Sequence, residues 1–262
     1  MTRQFSNSGN IANLLVCYSG SAIEISDKMT NLVQPKLTIV ITGFGPFGQF
    51  DSNPSEKVVR LIAEEGIENI QPDARIVVKV MPVAYDDVQY MVCELWKKYR
   101  PDLVVHLGVH SVSHVIRIET RSCGIGYYQD DVKSKTPESH KCLLANYSSG
   151  EEEHIICTGL DCIKLVEAAR MEFAGESVQF ELSNDPGRYL CAYSYYISLR
   201  HNRNCSLFIH IPCFNKSCTL ELVTKIVKQI VRLSVLQVLK AGKKNSDNFC
   251  GNRQQQFMTN CL

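Results

Sequence analysis

Cys191, His210 and Glu119 are the residues of this 262-residue chain whose types and places suggest chemistry. Cys191 closes the stretch SNDPGRYLC at 183–191, behind a Pro-Gly turn and at the start of a run that reads as a helix. A cysteine nucleophile needs an accessible thiolate, a proton carrier and an oxyanion donor beside it. The partnerless N–H groups of a helix start can serve as that donor. A helix opening at Asp185 and Pro186 would leave Cys191 more than a turn inside. Gly187 is a poor helix residue, and Tyr193, Tyr196 and Ile197 fit a later start. His210 ends an apolar strand before Pro212, and Glu119 ends another. Alone, His210 reads as a core histidine with one hydrogen bond, and Glu119 as a strand-end carboxylate paired with Arg117 or Arg121. It is their occurrence together with Cys191 that points to catalysis.

Other chemistries fit less well. Cys205, His210, Cys213 and Cys218 are metal-ligand types, yet none of the 12 cysteines forms the C-x2-C pair that usually opens a structural zinc site. The glycine-rich GFGPFG at 43–48 could cradle a phosphate, but it carries no P-loop lysine, and two phenylalanines suit a ring better than an anion. No metal and no cofactor are expected. The 28 basic and 27 acidic residues nearly cancel without a long run of one sign, which gives no pull toward nucleic acid or an anionic membrane. IANLLVCY at 11–18 is too short to span a bilayer. Cys93, Cys162 and Cys205 lie in or beside apolar stretches where a reduced thiol packs as a small hydrophobe, which predicts a cytoplasmic protein.

Positioning these groups falls to alternating elements between residues 37 and 240. LTIVIT (37–42), RIVVKVM (75–81), LVVHLGV (103–109), SVQFEL (177–182) and SLFIHI (206–211) read as strands, and HVIRIE (114–119) alternates. Helices are expected from the Asn53 cap and Pro54 to Gly66, over 86–99, 159–173, 191–200 and 219–239. This order predicts a single-domain α/β three-layer sandwich, a mostly parallel twisted sheet with helices on both faces. Ligands collect beyond the carboxyl ends of such strands. Thiol, imidazole and carboxylate are therefore expected at one rim. Residues 1–36 read as a polar N-terminal extension with Met29 as a second possible start, and 241–262 as a polar C-terminal tail. Residues 120–156 are too mixed in character to assign.

Three stretches together resemble the pyroglutamyl-peptidase I family of cysteine peptidases: TGFGPFG at 42–48, SNDPGRYLC at 183–191 and FIHIP at 208–212. MPVAY at 81–85 and the strand-end Glu119 add support, and the likeness spans about 37–240. The resemblance implies Cys191 as nucleophile, His210 as base and then acid, and Glu119 as the group that orients and charges the imidazole. It implies apolar walls at Phe44 and Phe47, a pocket closed by Val83, a lactam held by the backbone of Tyr189 and Leu190, and pyroglutamyl peptides as substrates. Two positions depart from the family pattern: Cys213 stands where a second proline is usual, and Ala192 where a polar residue often follows the nucleophile. Because 120–156 matches poorly, the alternative is a weak or inactive relative that binds peptide N-termini or a protein partner. A nucleoside-processing enzyme on a similar sheet is a third reading. The residues assign neither a monomer nor a homo-oligomer.

Overall fold

The apolar run at 37–42 becomes β1 (Thr38–Phe44), buried along its whole length. Asn53 caps α1 (Pro54–Glu65), its side chain accepting from the Ser55 N–H at 3.0 Å, with Pro54 in the first turn. There follow β2 (Arg75–Met81), α2 (Tyr85–Tyr99), β3 (Leu103–His110), β4 (Val115–Glu119), β5 (Arg121–Cys123), β6 (Ile155–Cys157) and α3 (Cys162–Glu172). The chain closes with β7 (Gln179–Ser183), α4 (Leu190–Asn202), β8 (Ser206–Pro212) and α5 (Leu220–Met258). The computed structural model describes residues 37–48, 52–71, 74–145 and 154–258. The N-terminal extension read at 1–36, Met29 included, lies outside the described residues.

A six-stranded sheet in the order β2-β1-β3-β8-β4-β7 forms the middle layer. On one face α1, α3 and α5 pack Val58, Ile62, Leu165, Val223 and Ile226 against Ile39, Ile41, Val105, Leu207 and Ile209. On the other, α2 and α4 set Val88, Val92, Tyr193, Tyr195 and Ile197 over Phe44 and Phe208. The expected sandwich is therefore present, with helices on both faces.

One expectation needs correcting. β4 runs antiparallel to β8 and parallel to β7, so the carboxyl ends of β4 and β7 point away from the rim where β1, β3 and β8 end. The cause is the connection from β3 to β4, residues 111–114. Four residues cannot make the long crossover that a parallel return requires. Glu119 thus comes to His210 from the opposite direction rather than from a shared rim.

Element ends shift as well. α3 starts at Cys162 rather than 159, because the Asp161 side chain caps it through the Lys164 N–H. α5 does not stop near Leu239 but runs on to Met258, through most of the stretch read as a polar tail. No proline interrupts 240–258, so nothing there breaks the backbone ladder. The unassigned 120–156 region contains β5, most of its antiparallel partner β6, with Arg121 opposite Cys157 just past the region, and a loop anchored on α2. Asp131 Oδ2 accepts from the Tyr85 N–H at 2.9 Å, supplying the cap that Ala84 cannot. The Val132 N–H donates to the Val83 carbonyl.

His106 on β3 is fully buried, its ring nitrogens 2.6 Å from Thr42 Oγ1 and 2.7 Å from Ser198 Oγ. Burial pushes this imidazole down from 6.5 to about 3. The fold holds the neutral ring, so unfolding takes up a proton once the pH drops below the unfolded value. Its stabilisation is complete above about pH 6.5 and is lost progressively toward about pH 3. Urea unfolding should show His106 contributing a loss of about 2 kcal/mol between pH 6.5 and 5. His106→Gln should flatten that part of the profile.

Candidate active site

Cys191 is the second residue of α4, which begins at Leu190 after the N-cap Tyr189, as the later of the two starts weighed above requires. The first ladder bond is Tyr193 N–H to the Tyr189 carbonyl, 3.0 Å. The N–H groups of Leu190, Cys191 and Ala192 precede it and so have no acceptor within the helix. Tyr189 supplies no side-chain cap either. The α4 start therefore presents donors and partial positive charge around the thiol.

The sulfur is close to the sheet because Gly108 lies beneath it. A Cβ at Gly108 would sit 2.8 Å from Cys191 Sγ and 2.8 Å from Phe208 Cζ. Gly108 pairs with His210 across β3 and β8, which brings thiol and imidazole together. The Cys191 sulfur is near enough for the His210 ring to feel it electrostatically. On the far side of the ring, His210 Nδ1 lies 2.7 Å from Glu119 Oε1, leaving Nε2 for the sulfur. Glu119 stands opposite Phe208, two residues from His210, so the two side chains are diagonal neighbours on one face of the sheet.

Burial sets the electrostatics. His210 is 7% exposed and Glu119 1%. Burial by itself pushes the imidazole down, but the Cys191 sulfur and the Glu119 carboxylate outweigh it and lift the ring to about 9. At neutral pH the ring is therefore held as an imidazolium. Packed cysteines elsewhere are held as neutral thiols. Burial pushes the Cys142 thiol up to about 11, and those of Cys162 and Cys205 to about 12, where they are inert. Cys191 is only half-buried.

Beside the sulfur is a small, shallow recess lined by Phe44, Phe47, Asn53, Val83, Val109, Tyr189, Leu190 and Cys191. All five residues expected to contact substrate are in this lining. Asn53 and Val109 were missed. Asn53 reads in sequence as a helix cap, which it is, but its Nδ2 also donates to the Gly45 carbonyl at 3.1 Å and braces the loop carrying Phe47. Val109 follows Gly108 in a strand whose apolar run gives no sign of where it opens. Among the described residues no group of His, Cys, Asp and Glu is placed to hold a metal ion, the set Cys205, His210, Cys213 and Cys218 included. Among them, too, no helix is long and apolar enough to cross a membrane.

A thiol, an imidazole and a carboxylate gathered beside an apolar recess on an α/β sheet are groups that a thiol hydrolase can use, and the relatives place the chain among peptidase hydrolases. Residues 24–215 match the family model described as "Putative pyroglutamyl peptidase PgaPase_1". Pyroglutamyl-peptidase 1 of Mus musculus is 31% identical over 206 residues, 78% of this chain and 93% of the relative. The Homo sapiens protein of the same name is 30% identical over 217 residues, 83% and 98%. Pyrrolidone carboxyl peptidase from Pyrococcus furiosus superposes with a TM-score of 0.65 over 77% of this chain and all of that one, at 22% identity. The Thermococcus litoralis enzyme gives 0.64 over 78% and 96%, at 20%. At those identities the superpositions speak for the fold alone. The chain belongs to the pyroglutamyl-peptidase I family.

Proposed function

We propose that this protein is a cysteine exopeptidase that hydrolyses the bond after an N-terminal pyroglutamyl residue, through Cys191, His210 and Glu119. The observation that carries the reading is the 2.7 Å contact of His210 with Glu119, with Cys191 set over Gly108, the strand partner of His210, in the lining of a recess walled by Phe44 and Phe47.

In this reading the Cys191 thiolate attacks the pyroglutamyl carbonyl carbon, and the oxyanion formed is held by N–H groups at the start of α4. The C–N bond breaks as the His210 imidazolium gives its proton to the departing amine. Water then attacks the thioester, His210 takes a proton from it, and the thiolate leaves as the pyroglutamate carboxyl is released. Glu119 keeps the ring turned to the sulfur and stabilises its charged form. No step requires a metal or cofactor.

Specificity follows from the recess. A neutral, compact lactam can lie between Phe44, Phe47 and Val83 with its polar atoms on the backbone at Tyr189 and Leu190. An ordinary charged α-amino group would enter desolvated and unpaired. A free nucleophilic thiol also suits a reducing compartment such as the cytoplasm.

Fluorogenic amides test the reading. In a reducing buffer the pyroglutamyl amide should be cleaved, and the glutaminyl and prolyl amides, which carry a charged amine, on the order of 100-fold more slowly or not at all. Folded protein that turns over none of them would instead be a binding relative, and the peptidase reading would be wrong.

A further inference from the structure

Glu119 is held in an unusual way for a buried carboxylate. Oε1 meets His210 Nδ1, but Oε2 is buried and makes no hydrogen bond among the described residues. A buried carboxylate normally accepts several hydrogen bonds, and those bonds fix its orientation. One bond to a ring that must itself be oriented leaves the pair short of constraints. The missing constraint is found in the backbone.

Tyr195 Oη donates to the Glu119 carbonyl at 2.9 Å, and both residues are buried. Tyr195 lies four residues after Cys191, one turn along α4 on the same side. Its ring packs 5.7 Å from that of Phe208, the residue paired with Glu119 across the sheet, and Phe208 in turn packs 4.7 Å from His210. The helix that carries the sulfur is therefore bonded directly to the residue that carries the carboxylate.

We infer that Tyr195 is a positioning residue for the proposed reaction: its hydroxyl fixes the Glu119 backbone to the nucleophile helix and so sets the carboxylate against His210. The inference rests on the assignment of Cys191, His210 and Glu119 above. It predicts that removing one hydroxyl far from substrate acts through the imidazole, not through binding.

Tyr195→Phe removes the hydroxyl and keeps the ring against Phe208. We expect kcat to fall about tenfold, equivalent to about 1.4 kcal/mol, with KM within about twofold of wild type. The pH at which Cys191 alkylation by iodoacetamide rises, as the thiolate forms beside the imidazolium, should move upward. In a double-mutant cycle Tyr195→Phe should cause no further loss in a Glu119→Gln background, because its effect passes through that carboxylate. Tyr90→Phe, at an exposed tyrosine on α2, is the control. A merely structural hydroxyl would lower Tm but leave the alkylation profile in place and add its effect to Glu119→Gln; either result overturns the inference. If wild type fails to cleave any pyroglutamyl amide, the peptidase reading falls, while the alkylation profile of Tyr195→Phe still decides the positioning role. Should Tyr195→Phe not fold, Tyr195→Trp in the same alkylation assay replaces it, and an unshifted profile there refutes the proposal.

Discussion

Cys191→Ala is expected to eliminate cleavage of a pyroglutamyl amide, and Cys213→Ser to leave it in place. Both thiols are reachable, since Cys191 is half-buried and Cys213 exposed just past Pro212 at the end of β8, so reagent accessibility alone cannot separate them. Geometry does. Cys191 is set at the start of α4 beside the recess, where the His210 ring feels its sulfur. Without the sulfur no thioester forms, and water attacking directly would have only the oxyanion donors and bound geometry to help it. The loss should be on the order of 10⁴-fold or more in kcat. Alanine fits easily in a half-open site, so thermal unfolding should change little. Stoichiometric alkylation of wild type should stop turnover, and alkylation of Cys191→Ala should no longer modify the site. Full activity in Cys191→Ala would remove the thiol from the mechanism altogether.

The parts legible in sequence are those whose cause is local. The apolar run of β1 buries itself on both faces, Asn53 and Pro54 mark the start of α1, and Gly187 keeps α4 from opening before Leu190. What stayed hidden depends on distant partners. Asp131 is unremarkable in a polar stretch until its carboxylate is seen capping α2 through Tyr85, 46 residues away in sequence. Gly108 reads as one residue of an apolar strand, and its need to lack a Cβ comes from a sulfur in another element. The antiparallel direction of β4 is an intermediate case. The four residues at 111–114 imply it, but only once β8 is known to lie between β3 and β4.

The carboxylate's contribution can be read from pH. Glu119 and Cys191 together hold His210 at about 9 against burial. In the proposed reaction the imidazolium is therefore lost on the alkaline side, as the ring gives up its proton near that value. The same raised value adds stability to the native state that is fully present below about pH 6.5 and lost as pH rises through about 9. Glu119→Gln is nearly isosteric and can still accept from Nδ1, so the ring should keep its orientation while losing a negative partner 2.7 Å away. The alkaline limb of kcat/KM should then move down by about 1–3 pH units, and kcat should fall by about 10²–10⁴-fold. KM should change little, since Glu119 does not line the recess. The limb belongs to the coupled pair and not to either group alone, and the rise of Cys191 alkylation with pH, which needs no substrate, should move upward in the same variant because the thiolate loses support from the imidazolium. A Glu119→Gln protein that folds, loses activity and yet keeps its alkaline limb unmoved would show that the carboxylate does not support the imidazolium. One that simply unfolds would make Glu119 a residue of the core.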